Sequence, residues 1–112
     1  MENPTIVLEL ENLAWHGTRL QLKDENITKQ FGLAIELVYH FGQKQYMVSL
    51  YYYDIHHKFF PYSQALITHE NVFAPTIKAC LEASAQAINK FYAGKYCFQF
   101  SMDQSNWIKK AY

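Results

Sequence analysis

Asp54, His56 and His57 are the first residues whose types and spacing invite chemistry, since five histidines in the chain raise the question of a metal centre. Zinc needs three or four donors converging at about 2.0–2.3 Å. Adjacent histidines on a strand point to opposite faces, so only one of His56 and His57 can join Asp54 on one side. A turn at Gly42 leaves His40 at the far end of the hairpin, about 35 Å from His56, with His69 expected nearer His40. Divided between two ends of a sheet, the histidines are read as hydrogen-bonded or solvated loop residues, and no metal or other cofactor is expected.

Cys80 and Cys97 raise a disulfide or a reactive thiol. Cys80 falls on the apolar stripe of a predicted helix, where a free cysteine behaves as a small hydrophobe. A strand folding back from Gly94 leaves Cys97 too far from Cys80 for the ~7 Å that a disulfide permits. Neither has a cationic cluster beside it to stabilise a thiolate, so both are read as structural. Glu36 is the one carboxylate centred in an apolar stretch. An acid–base role for it requires a pocket beside it; on a flat, wet sheet face it is an ordinary surface acid. Motifs for nucleotide binding, serine hydrolysis or zinc proteolysis are missing from the sequence, and the expectation is a non-enzymatic protein.

The aromatic residues are the strongest remaining feature. Tyr51, Tyr52 and Tyr53 are followed closely by Phe59, Phe60 and Tyr62. The chain holds nine tyrosines, eight phenylalanines and two tryptophans among 112 residues, with ten basic and ten acidic side chains and no net charge. An exposed aromatic cluster suits two kinds of partner. Tyrosine and methionine are enriched in protein interfaces, which are depleted in charge. Aromatics on an open sheet also stack unpaired bases at ~1–3 kcal/mol each. Charge balance and a single arginine, Arg19, weigh against a phosphate backbone. A third reading keeps the aromatics inside the monomer, under a second layer such as the C-terminal segment with Trp107.

The elements that must position these residues follow from periodicity. Alternation predicts strands over Thr5–Leu10, Thr18–Lys23 after a turn at His16-Gly17, and, most clearly, Phe31–Phe41. Asp24-Glu25-Asn26 is a polar break between the second and third. Gly42-Gln43-Lys44 predicts a hairpin turn, and Gln45–Ile55 returns as a strand with apolar residues on both faces. Ser63–Thr68 predicts an edge strand beyond Pro61. Apolar spacing of three to four then predicts one long helix over 71–92, capped by Thr68 or Asn71 and ended at Gly94. A final strand is expected over 96–102, with a polar tail from Asp103 to Tyr112. Phe31, Phe41, Phe73, Phe91 and Phe98 are assigned to the core.

Together these elements predict a single α+β domain over residues 1–112: an antiparallel sheet of five or six strands with a long helix across one face. At the level of element order this resembles the transcriptional-coactivator and Whirly type of domain, which implies single-strand binding on the sheet; it rests on no sequence motif. The expectation is a small protein-interaction domain (an adaptor, inhibitor or immunity-type antagonist). Its partner-binding residues are Met47, Tyr51, Tyr53, Phe59, Phe60 and Tyr62, and self-association through the same strand is equally compatible. With no apolar run of ~20 residues, no leader and only two cysteines, the expected location is cytoplasmic, away from membranes.

Overall fold

In the computed structural model, which describes residues 3–12 and 19–101, the fold is built on one hairpin. Strand β4 (Leu33–His40) pairs antiparallel with β5 (Gln45–Tyr53), from Leu33 opposite Tyr52 to His40 opposite Gln45. Alternation sends Leu33, Ile35 and Leu37 to the same side as Tyr46, Val48, Leu50 and Tyr52, and all seven are buried. Helix α2 (Ile77–Phe91) covers that side with Ile77, Cys80, Leu81, Ser84 and Ile88. Thr76 caps it, its hydroxyl accepting the Ala79 N–H at 3.1 Å.

Around the hairpin, β2 (Leu10–Asn12), β3 (Leu20–Leu22) and β6 (Leu66–Ala74) complete a five-stranded antiparallel sheet in the order β2-β3-β4-β5-β6. Strands β1 (Thr5–Leu8) and β7 (Cys97–Phe100) form a separate parallel pair that closes the core with Leu8, Phe98 and Phe100. Asn89 ties β7 to the helix, its side chain accepting the Phe98 N–H at 2.7 Å and donating to the Phe98 carbonyl at 3.1 Å. The predicted α+β architecture, an antiparallel sheet with a helix packed on one face, is the observed one.

Several boundaries differ, each for a local reason. A helix, α1 (Glu25–Phe31), occupies the segment read as a polar break and the start of a strand. The Asp24 carboxylate accepts the Asn26 N–H at 2.9 Å, and Gly32 in the left-handed region donates to the Thr28 carbonyl at 2.8 Å, so both ends are capped. The third predicted strand therefore begins at Leu33. Phe31 reaches the core from the helix, edge-on to Tyr96 and Phe98. At the other end, Phe41 sits in the hairpin turn and is 75% exposed, not in the core. The edge strand is also longer than expected. Ser63–Ala65 is a short 3-10 turn, and β6 then runs to Ala74, where Pro75 ends it.

The long helix consequently starts six residues later than predicted. Phe73 lies on the sheet, 42% exposed, instead of on the helix stripe. The predicted Thr5–Leu10 strand divides at Glu9 into β1 and β2, and the last strand is shorter than 96–102. Both cysteines are free; the Cys80 thiol donates to the Val72 carbonyl at 3.2 Å. The predicted turn at His16-Gly17 and the segment 103–112 with Trp107 lie outside the described residues.

One end of the core is aromatic. Tyr52 stacks with ring centroids 3.8 Å from Phe91, which is 39% exposed at the margin and not inside the core as predicted, and Tyr92 meets Phe98 at 5.1 Å. The Tyr92 hydroxyl donates to the Phe31 carbonyl at 2.7 Å, joining α2 to α1. Gly32 lies beside this cluster. Its φ is +74°, its carbonyl accepts the Tyr53 N–H, and a Cβ there would fall 2.2 Å from the Tyr53 carbonyl oxygen. Gly32→Ala therefore adds left-handed strain to a backbone clash, and denaturant titration should show a loss of about 2–5 kcal/mol.

A second prediction concerns pH. Burial pushes the Cys80 thiol up to about 11 and the Tyr92 phenol up to about 12. Tyr52 is driven well above the usual tyrosine range by burial, then by its hydrogen bond to Glu70. All three are acids held neutral by the fold, so the unfolded chain loses their protons first. Their contribution is complete below the thiol's ordinary value of 9.0 and declines as pH rises through the folded values. Urea midpoints should hold level to about pH 9 and fall steadily above it.

Candidate functional site

The same alternation that builds the core presents a second set of side chains on the outer face of the sheet. Glu11, Gln21, Glu36, Ser49 and Asn71 are successive register partners, forming a polar row across all five strands. Glu36 anchors it, with Arg19 Nε at 3.5 Å and Gln21 Nε2 at 3.4 Å from its two carboxylate oxygens. Ser49, only 4% exposed, donates to Asn71 Oδ1 at 3.0 Å.

This row divides the face. Toward the β4–β5 turn lie Val38, Met47 and Phe73 in one register, with His40 edge-on to Phe73 at 5.7 Å. On the other side Tyr51 sits between Ala34 and His69 and stacks on the His69 ring at 5.9 Å. Tyr53 lies at the end of the strand, edge-on to Phe60 at 6.2 Å. Burial holds the Tyr53 phenol above the usual range, and the neighbouring Tyr51 adds to this. Helix α2 packs on the inner face. Met47, Tyr51 and Tyr53 keep partial exposure, and His69, Asn71 and Phe73 are exposed.

Of the predicted partner-binding residues, the fold brings Tyr51, Tyr53 and Phe60 together. Met47 lies across the polar row, four positions from Tyr51 and so about 13 Å away along the strand. Its neighbours are Val38 and Phe73. Phe59 and Tyr62 are exposed on the loop that follows β5, with Lys58 Nζ 4.9 Å from the Phe59 ring centre. Internal hydrogen bonds shape this loop: Asp54 Oδ1 accepts the His56 N–H at 2.9 Å, and His57 Nδ1 accepts the Phe59 N–H at 3.1 Å. Among the described residues no cluster of three or more histidine, cysteine or acidic side chains is poised to hold a metal ion. The register also places His69 opposite Tyr51, toward the His56 end of the sheet, contrary to the expectation that it lies nearer His40.

A cleft of about 440 Å³ opens beside Glu36, bounded by Tyr51 and Tyr53 on one side and by Glu11, Lys23 and Glu25 on the other. The sequence pointed to Glu36 but not to Glu11 or Glu25. Glu25 enters through α1, whose capping residues Asp24 and Gly32 were the available signal. Glu11 enters through the β2–β3–β4 register, for which there is no local signal. Lys23 is paired with Glu9 at 3.7 Å and Arg19 with Glu36, whereas Glu11 and Glu25 have no ion pair among the described residues. The cleft is therefore acidic, with two phenol rings as its wall.

Comparison with protein families, curated proteins and solved structures returns no match for the chain. Among the described residues, no helix is long and apolar enough to cross a membrane.

The two faces of β5 should respond differently to truncation. Tyr52→Ala removes a core ring and its stack on Phe91, at about 3–5 kcal/mol. Tyr51→Ala removes a half-exposed ring, and its cost should stay near 1 kcal/mol. Urea titration of the two variants side by side checks this.

Proposed function

We propose that this chain is a non-enzymatic protein-interaction domain that binds its partner on the outer sheet face, with Tyr51, Tyr53 and Phe60 as the anchor. The observation that carries this reading is the aromatic wall beside an acidic cleft on a face that α2 leaves uncovered. Half-buried tyrosines offer large contact area with little rotamer freedom to lose, which is the profile of interface hot spots. Carboxylates from Glu11, Glu25 and Glu36 favour a partner that presents an arginine or lysine, its charge meeting the acids and its stem lying on the rings.

The acidic lining also weighs against nucleic acid, since the carboxylates of Glu11, Glu25 and Glu36 outnumber the one cation of the cleft wall, Lys23. The cleft satisfies the geometric requirement for acid–base chemistry at Glu36. However, that carboxylate is already engaged by Arg19 and Gln21, while Ser49 donates to Asn71 and Cys80 to backbone carbonyls. A recognition cleft accounts for this arrangement without a nucleophile. Two free thiols are in keeping with a reducing compartment, which makes the cytoplasm the proposed location.

Affinity capture from native lysate, comparing wild type with Tyr51→Ala/Tyr53→Ala, tests the assignment. Loss of about 2 kcal/mol or more, roughly thirtyfold in affinity, is expected for the partner that depends on this face. An unchanged partner list overturns the site. Binding of a labelled single strand that weakens steeply with salt would replace the protein partner with nucleic acid.

A further inference from the structure

Among the described residues, strand β6 is an edge of the five-stranded sheet, pairing with β5 on one side only. The direction of its backbone groups follows from its neighbour. Tyr53 donates its N–H to Gly32, on the β4 side, so the odd-numbered residues of β5 face β4 and the even-numbered residues face β6. Across the register, Thr68, Glu70, Val72 and Ala74 oppose even-numbered β5 residues and bond to them. His69, Asn71 and Phe73 therefore direct both N–H and C=O outward. No backbone bond from any described element meets them.

The usual protections of such an edge lie mostly at its ends, in a bulge and in Pro75, and the stretch between them carries only the exposed Glu70. Within β6 there is no proline or lysine, and Glu70 is its one formal charge. The Glu70 carboxylate is turned to the inner face, where it accepts the Tyr52 hydroxyl at 3.0 Å. On the outer face the strand presents His69, Asn71 and Phe73, all exposed.

We infer that β6 pairs antiparallel with β6 of a second copy of this chain, with Asn71 on the two-fold axis. The register is set by the ends of the regular stretch. A bulge at Ile67, between the Tyr52–Thr68 and Tyr53–Leu66 pairs, bounds it on one side, and Pro75 bounds it on the other. The midpoint of the seven residues from Thr68 to Ala74 is Asn71. Centred there, each Asn71 exchanges both backbone bonds with its copy, and each His69 does the same with Phe73 of the other chain. Every outward group of the three residues is satisfied.

Charge and the position of Pro75 select the same register. Moving the axis one residue toward Thr68 sets Glu70 directly opposite Glu70, which is unfavourable, and moving it one residue toward Ala74 sets His69 opposite Pro75, which has no N–H to donate. With Asn71 at the centre, Glu70 opposes Val72, and an imidazole opposes a phenyl ring at each end of the contact. Zero net charge adds no long-range repulsion between copies. The two outer faces join as one surface, doubling the proposed recognition site without overlapping Tyr51, Tyr53 or Phe60. The inference stands independently of what binds there.

The test combines mass with register. Light scattering of the wild type to millimolar concentration should approach twice the chain mass. In a Cys97→Ser background, Asn71→Cys places two sulfurs on residues whose Cα atoms are about 5.5 Å apart, within disulfide reach. His69→Cys places them about 13 Å apart along the strands, as a control. Air oxidation should link Asn71→Cys at least roughly tenfold faster than His69→Cys. A wild-type monomer at all concentrations overturns the inference, whatever the variants do. So do equal linking rates, which would indicate random collision, and a monomer that pairs β6 with a foreign extended peptide.

Discussion

The structure depends on a single strand that is rich in ring side chains on both faces. In β5, Tyr46, Val48, Leu50 and Tyr52 are buried beneath α2, while Met47, Tyr51 and Tyr53 emerge on the opposite side. A strand cannot hide both sets behind one helix, because successive side chains point in opposite directions. The inner set specifies the register, since a slip of one residue would exchange buried for exposed side chains along the whole strand. Gly32 secures the end of that register. Only a residue without a Cβ can approach the Tyr53 carbonyl so closely while closing α1 in the left-handed conformation. The positions of the outer set on the strand then follow from the core.

The sequence made some of this visible. From Leu33 to Leu37 the alternation is clean, and it marks a strand buried on one face. It extended too far at both ends because residues beyond the strand keep the same parity. Phe31 belongs to a helix whose capping residues, Asp24 and Gly32, were more informative than the apolar pattern. Phe41 continues the odd positions but sits in a turn. Phe73 fits two periods at once, four residues before Ile77 on a helix and two after Asn71 on a strand. Pro75 and Thr76 decide between them: the strand stops at the residue before the proline, and Thr76 caps the helix that follows.

The candidate site was legible to the extent that it is local. Tyr51 and Tyr53 share a face by spacing alone, and Phe60 is brought to Tyr53 by the loop after it. Met47 has the same parity, but Ser49 and the polar row separate it from the tyrosines, a division that appears only when all five strands are in register. The acidic character of the cleft is likewise non-local. Glu11, Glu25 and Glu36 belong to three different elements, so a balanced composition conceals a one-sided arrangement of charge. Neutrality pointed away from nucleic acid by default, and the lining of the cleft supplies a specific reason.

The central claim is that the outer face of β5 is a surface for recognition, while its inner face is core. Hydroxyl-radical footprinting of the free chain and of the captured complex addresses both parts in one measurement. The account predicts that Tyr51, Tyr53 and Phe60 react in the free protein and are protected in the complex, while Tyr52 stays protected in both. Protection confined to the exposed side of α2, with Tyr51 and Tyr53 equally reactive in both states, would contradict it.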